Sequence, residues 1–259
     1  MLRSRIRLAA ALAVAALLLV AGCGDESGGS SGAAAPSEIK VFAAASLTAA
    51  FTELGQQYTS ATGGTKVTFN FAGSQALATQ IQQAAPADVF ASADLANMDK
   101  VKGLVGTSQN FASNLLAIVV EEGNPKGVMG LDDLARPDLK VVLAAPDVPA
   151  GKYAAEILGK AGVAVKPVSQ EDNVKAVVTK VSLGEADAGI VYVTDITAGG
   201  AKVEGVDIPR EQNVLATYPI ATVKASRAPD EAQAFMDLVL SAEGQQVLKQ
   251  YGFLPPPTT

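Results

Sequence analysis

From residue 38 onward the chain alternates two hydrophobic rhythms. Short β-branched and apolar runs, IKVFAAA (39–45), TKVTFNFA (65–72) and DVFASAD (88–94), read as strands. Between and after them, LTAAFTELGQQYTSA (47–61), QALATQIQQAA (75–85) and LANMDKVKGL (95–104) space apolar residues by three and four, which predicts helices with one buried face. The second half repeats the style, with strands expected in VVLAAP (141–146), AGIVYVTD (188–195) and VLATYPIATVK (214–224). Helices are expected over 151–161, 173–183 and 230–251, the last as two helices broken near Ser241. Such alternation predicts an α/β fold. Two long extended stretches, NLLAIVVEEG (114–123) and VLATYPIATVK, bracket a middle segment of the size of a small domain. Taken as crossings between two lobes, they make the first lobe discontinuous, 38–117 plus 220–259, and leave 118–219 to the second. The sequence shows no internal repeat.

The amino terminus follows a different pattern. Arg3, Arg5 and Arg7 precede an uncharged stretch of 15 residues, LAAALAVAALLLVAG, which ends at Cys23. That is shorter than the ~20 residues a spanning helix needs, so residues 1–22 read as a signal peptide. The segment LVAGC resembles the lipobox of bacterial lipoproteins, which implies cleavage before Cys23 and a lipid on its thiol. Residues 23–37, rich in Gly, Ser and Ala and without apolar period, read as a flexible tether. The expected location is therefore the extracytoplasmic face of the cell membrane, held there by lipid on Cys23.

Composition narrows the chemistry. Among 259 residues, 49% are hydrophobic, enough for one large core or two smaller ones. Loss of residues 1–22 removes three arginines and no acids, taking the formal net charge from −6 to −9. A chain of that charge repels polyanions, and it has no basic stripe with stacking aromatics, so nucleic acid is not an expected partner. There is no histidine and only one cysteine. This excludes Ser-His and Cys-His catalysis and removes the commonest transition-metal ligand. The acidic pairs Glu121-Glu122, Asp132-Asp133 and Glu171-Asp172 read as solvated or capping charges, and no enzyme is expected.

Four helix starts and one tyrosine carry the candidate chemistry. Ser46 in FAAASLTAAF and Ser74 in FNFAGSQALATQI each follow a strand and open a helix, where a serine is a preferred cap. Pro149-Ala150-Gly151 opens a third helix and brings backbone N–H groups close to any ligand. In SQEDNVKAVVTKV, Asn173 or Asp172 can cap, leaving the N–H of Val174 free in the first turn. Each start alone is explained by capping. Together they suggest an anion site, because helix N-termini present N–H donors and partial positive charge, and in open α/β sheets ligands bind at the carboxyl ends of strands. Tyr192 adds a phenolic donor at a strand end.

The segments AAASLT, FAGSQALATQI, APADVFASAD, DVPAGKYAAEIL, DNVKAVV, GIVYVTD and the terminal YGF, in that order, resemble the periplasmic molybdate-binding proteins of ABC importers, over essentially all of 39–254. The resemblance implies a type II periplasmic binding protein fold: two α/β lobes joined by two crossing strands, with the ligand in the interlobe cleft. It implies that Ser46 and Ser74 donate hydroxyl and backbone N–H bonds. Ala150 and Val174 would donate backbone N–H bonds, and Tyr192 its hydroxyl. The ligand would be molybdate or tungstate, with no cofactor and no metal beyond that of the oxyanion. The partner would be a membrane ABC permease, and the state a monomer. The Ser74 turn, AGSQAL, departs from the serine-rich or Gly-Thr forms of many relatives, which bears on the donors around Ser74. Lys152, after the VPAG turn, reads as a solvated first-turn lysine outside the ligand set. Alternative readings are a carrier of sulfate, phosphate or ferric iron, and an envelope lipoprotein without transport function.

Overall fold

A computed structural model of the chain describes residues 38–257. The signal sequence, Cys23 and the tether lie outside these described residues. Two five-stranded sheets organise the chain, each flanked by helices.

The first sheet contains β1 (Glu38–Ala44), β2 (Lys66–Ala72), β3 (Val89–Ala91), β4 (Gln109–Asn114) and β10 (Ala216–Thr222), in the order β2-β1-β3-β10-β4. The second contains β5 (Leu116–Glu121), β6 (Val141–Ala144), β7 (Ser169–Glu171), β8 (Ala188–Tyr192) and β9 (Val203–Asp207), in the order β7-β6-β8-β5-β9. In both, three parallel strands are followed by one that runs antiparallel to its neighbours. The two sheets therefore share one topology that the sequence does not display as a repeat.

The apolar runs explain the central strands. In β1, Ile39, Val41 and Ala43 face one core, and Phe42 faces another with Leu77, Ile81 and Phe90. Burial on both faces is what the near-continuous apolar composition of a parallel strand reflects. Against the first face lies α1 (Thr48–Ala61), which buries Phe51, Leu54 and Tyr58 at spacings of three and four. Phe51 meets Phe69, Phe111 and Phe235 with ring centroids 5.7 to 6.4 Å apart. Phe235 comes from α7 (Pro229–Leu240), so the last part of the chain packs on the first. Ser241 ends α7 in an extended conformation, and its hydroxyl caps α8 (Ala242–Gln250) by accepting from Gly244 N.

Two short passages connect the sheets. The chain leaves the first sheet at Asn114 and enters the second at Leu116; it returns after Asn213 to begin β10 at Ala216. Strand pairing thus places residues 116–117 in the second sheet and 216–219 in the first, a few residues from the boundaries that the hydrophobic pattern suggests. The Asn213 side chain ties the two passages together. Its Oδ1 accepts from Leu116 N at 3.1 Å and Val214 N at 2.9 Å, and its Nδ2 donates to Leu116 O at 2.8 Å.

Three expectations from the pattern differ in detail. The helix expected over 95–104 is α-helical only as α3 (Leu95–Asp99), after which i to i−3 bonds tighten the chain into turns up to Leu104. The strand expected through Asp195 stops at Tyr192, because the Asp195 carboxylate accepts from Tyr192 N at 3.1 Å and starts α6 (Val193–Gly199). Strands β4, β7 and β9 are polar or short, QNFASN, SQE and VEGVD, and the pattern did not announce them.

Candidate functional site

Four of the strand ends deliver the chain directly into a helical turn facing one space. After β1 a 3-10 turn, Ala45–Leu47, carries Ser46. After β2, Gly73 takes the N-cap position of α2 (Ser74–Gln82). After β6, Val148 is the N-cap of α4 (Pro149–Ala161), with Pro149 in its first turn. After β7, Asn173 is the N-cap of α5 (Val174–Ser182), and its side chain accepts from Ala176 N at 3.0 Å; Asn173, not Asp172, is the capping residue.

The serines are not caps. Ser46 lies inside the 3-10 turn, and the start of α1 has no side-chain cap; its hydroxyl sits 3.1 Å from the Tyr218 hydroxyl instead. Ser74 is the first helical residue, one position past the cap, and its Oγ accepts from Ala93 N at 3.0 Å. A hydroxyl that accepts one bond keeps its own proton to donate. Both serines are thereby oriented by protein partners, and Ser74, which accepts, keeps its proton to donate.

The helix starts add main-chain donors. The first N–H groups of an α-helix have no partner within it. In α4 the bond Lys152 N to Val148 O is the first of the helix, which leaves Ala150 N–H and Gly151 N–H pointing out of it, Pro149 having none. Gly151 is required here: a Cβ would lie 2.1 Å from Ala145 O and 2.4 Å from Ala144 O. In α5 the N–H of Val174 is free in the same way, since the cap serves Ala176 N.

Tyr192 closes the space from the end of β8. Its ring is fully buried, 5.8 Å from that of Tyr218, and its hydroxyl is buried without a hydrogen-bond partner. Burial, reinforced by the neighbouring Tyr218, Tyr153, Asp195 and Asp94, raises its pKa well above that of a free tyrosine. It is a donor rather than a base. Burial also pushes the Asp195 carboxyl up to about 7, against the opposing effects of the Tyr192 N–H bond and the Lys175 charge.

All five residues singled out from sequence, Ser46, Ser74, Ala150, Val174 and Tyr192, line one cavity with an empty volume of about 210 Å³. Its other walls are Ala44, Ala45, Ala72, Gly73, Ala93, Val148, Pro149 and Asn173, so no ionisable acid or base lines it apart from the Tyr192 phenol. Among the described residues no group of His, Cys, Asp or Glu could hold a metal ion. The arrangement can do one thing well: surround a small anion with neutral donors from both sheets, using helix N-termini where partial positive charge accumulates.

Several residues of this region escaped sequence reasoning. Tyr218, the partner of Ser46, sits in an apolar strand with no local mark of its role. Asp94 shows a legible cap signal, and it does cap α3 by accepting from Asn97 N. Its other oxygen faces Lys152 at 3.9 Å, so this lysine is half-exposed but paired rather than simply solvated.

Residues 39–254 match the family model of bacterial extracellular solute-binding proteins. The molybdate-binding protein ModA of Mycobacterium tuberculosis (strain ATCC 25618 / H37Rv) is 45% identical over 249 residues, which span 92% of this chain and 95% of that protein. The molybdate-binding protein ModA of Escherichia coli (strain K12) is 32% identical over 230 residues, 83% of this chain and 88% of that protein. Among solved structures, the periplasmic molybdate-binding protein of Azotobacter vinelandii superposes with a TM-score of 0.73 at 22% identity, covering 85% of this chain and 100% of that one. The last likeness bears on the fold, that of a type II periplasmic binding protein with two α/β lobes.

Proposed function

The chain belongs to the bacterial extracellular solute-binding protein family, and from that premise we propose that it captures molybdate outside the cytoplasm and delivers it to an ABC permease. The observation that carries the reading is the partnerless Tyr192 hydroxyl, buried in an uncharged cavity beside the starts of α2, α4 and α5. A buried donor without an acceptor costs about 1 to 3 kcal/mol, and an anion in the cavity supplies the acceptor. The 45% identity to a molybdate-binding protein supports the choice of anion.

Neutral donors select by protonation. Hydrogen phosphate at pH 7 carries a proton that needs an acceptor, and a cavity lined by donors offers it none. Molybdate, tungstate and sulfate carry no such proton; the preference for molybdate over sulfate rests on the likeness to molybdate-binding proteins, and tungstate is the second expected ligand. Ser46 and Ser74 hold the anion from the first lobe; Ala150, Val174 and Tyr192 hold it from the second. Because these contacts are complete only when the lobes meet, the anion shifts the population toward the closed form, which the permease then recognises. No cofactor takes part. Lipid on Cys23 keeps the protein, a monomer, at the membrane.

A thermal-shift series with molybdate, tungstate, sulfate and phosphate at matched ionic strength tests this. Ligand at 100 times its dissociation constant adds about 2.7 kcal/mol, roughly 5 to 10 °C for a domain of this size. A rise with molybdate and tungstate alone is the expected result; a flat response to all four from folded, ligand-free protein would remove the anion site.

A further inference from the structure

The lobes also touch outside the anion cavity. Lys152 projects from α4 one residue past the Ala150-Gly151 turn, and its Nζ lies 3.9 Å from Asp94 Oδ2 on the first lobe. Asp94 is buried, and its two oxygens divide their work. Oδ1 accepts from Asn97 N at 2.9 Å and lies 3.3 Å from the Ser92 hydroxyl, while Oδ2 faces across the cleft. A second bridge stands beside Ser74. Gln75 Nε2 donates to Asp172 O at 2.9 Å, from α2 of one lobe to the residue before the α5 cap of the other. The backbones are so close here that a Cβ on Gly73 would lie 2.4 Å from the same carbonyl. Asp94, Lys152, Gln75 and Asp172 are all absent from the cavity wall.

We propose that Lys152 with Asp94, and Gln75 with the Asp172 carbonyl, are positioning contacts that latch the closed lobes and set how long a captured anion stays, without touching it. The idea rests on the anion-binding reading above. The asymmetry within the ion pair gives the latch a signature. Asp94 is buried and Lys152 half-exposed, so removing the lysine leaves a carboxylate stranded in the closed form, whereas removing the carboxylate strands nothing. Opening the lobes returns Asp94 to water and relieves the penalty, so the cost falls on closure rather than on the fold of either lobe.

The test is a double-variant cycle on the full chain, with molybdate association and dissociation rates from stopped-flow and the ligand-free radius of gyration from small-angle scattering. Asp94→Asn keeps a good helix cap. Lys152→Met keeps the aliphatic stem. In Lys152→Met, dissociation is expected to be ~5- to 10-fold faster with association within about twofold. In Asp94→Asn the increase is smaller, and adding Lys152→Met to it changes little. An equal effect of Lys152→Met in both backgrounds would overturn the latch, since that is what a lysine contacting the anion itself produces; so would an unchanged dissociation rate. If the wild-type chain binds none of the four anions, the functional reading falls and scattering decides alone. A larger ligand-free radius in Lys152→Met than in wild type then upholds the latch, and an equal radius overturns it.

Discussion

On the first lobe, the side-chain donors that face the cavity are hydroxyls already held by the protein. Ser46 is engaged with Tyr218, and Ser74 accepts from Ala93 N. On the second lobe, Ala150 and Val174 contribute only main-chain N–H groups, and the Tyr192 hydroxyl has no partner at all. The two lobes share a strand order, so the difference lies in how the strand ends are furnished rather than in topology. In one half the side-chain donors are already oriented by protein partners without ligand. The other half holds the unmet demand and, behind it, the buried acid Asp195. In the second half, Ala150 and Val174 act through the main chain and are probed through backbone and sterics, whereas Tyr192 and Asp195 are open to side-chain substitution.

The largest expected contrast is in pH dependence, since the second half alone carries a strongly raised acid. An unfolded aspartate titrates near 3.9, and Asp195 in the fold is pushed up to about 7. Between those values the folded chain keeps a proton that the unfolded chain has released. The stability from this group is complete below about pH 4 and is lost as the pH rises through 7, a change on the order of 3 to 4 kcal/mol. Asp195→Asn, which retains an oxygen for Tyr192 N–H, should raise the melting midpoint at pH 8 and not at pH 4. Parallel pH curves for the two proteins would show that Asp195 ionises normally.

Next in size is a pair of glycines, one for each half. Gly151→Ala sets a Cβ against carbonyls of its own lobe, so it should lower stability by about 3 kcal/mol, seen in thermal unfolding without ligand. Gly73→Ala meets the flexible Gln75 side chain and, across the cleft, Asp172 O. Its midpoint without ligand should stay near wild type while molybdate affinity falls. Equal loss of stability in both would mean that the lobes do not separate.

Val174→Pro addresses the backbone donor itself. Proline is favoured at the first helical position, and Asn173 before it is extended at φ −158° and ψ 165°, as a residue preceding proline should be. The variant deletes one N–H and replaces the buried Val174 side chain with a proline ring of similar size. It should weaken molybdate binding by about 1.5 to 3 kcal/mol, the value of a hydrogen bond to a charged group, with Val174→Ala close to wild type in titration calorimetry.

The same division decides what could be read from sequence. The parallel strands other than β7 and the helix starts were legible because apolar runs and cap residues are local signals. Strands β4, β7 and β9 were not, since QNFASN, SQE and VEGVD lie at sheet edges and carry few apolar residues, Phe111 and Ala112 in β4 and Val203 in β9 being the ones they bury. The end of β8 was hidden too. After Tyr192 the chain continues with β-branched Val193 and Thr194, and what stops the strand is a carboxylate folding back on a backbone N–H. At the site, the five residues were legible one by one, but their convergence depends on two sheets meeting. Ser46 and Ser74 carry a cap signal as well as a ligand signal, because a serine after a strand resembles a cap; only the positions of Leu47 and Gly73 at the helix starts separate the two roles.

The most direct test of the central claim, that the second lobe carries an unmet donor awaiting an anion, is Tyr192→Phe. Deleting a partnerless hydroxyl is expected to leave the anion-free midpoint unchanged or raised, while molybdate affinity drops about 10- to 100-fold, the equivalent of one hydrogen bond to a charged group. A lowered midpoint with unchanged affinity would contradict it, showing that the hydroxyl serves the fold and not a ligand.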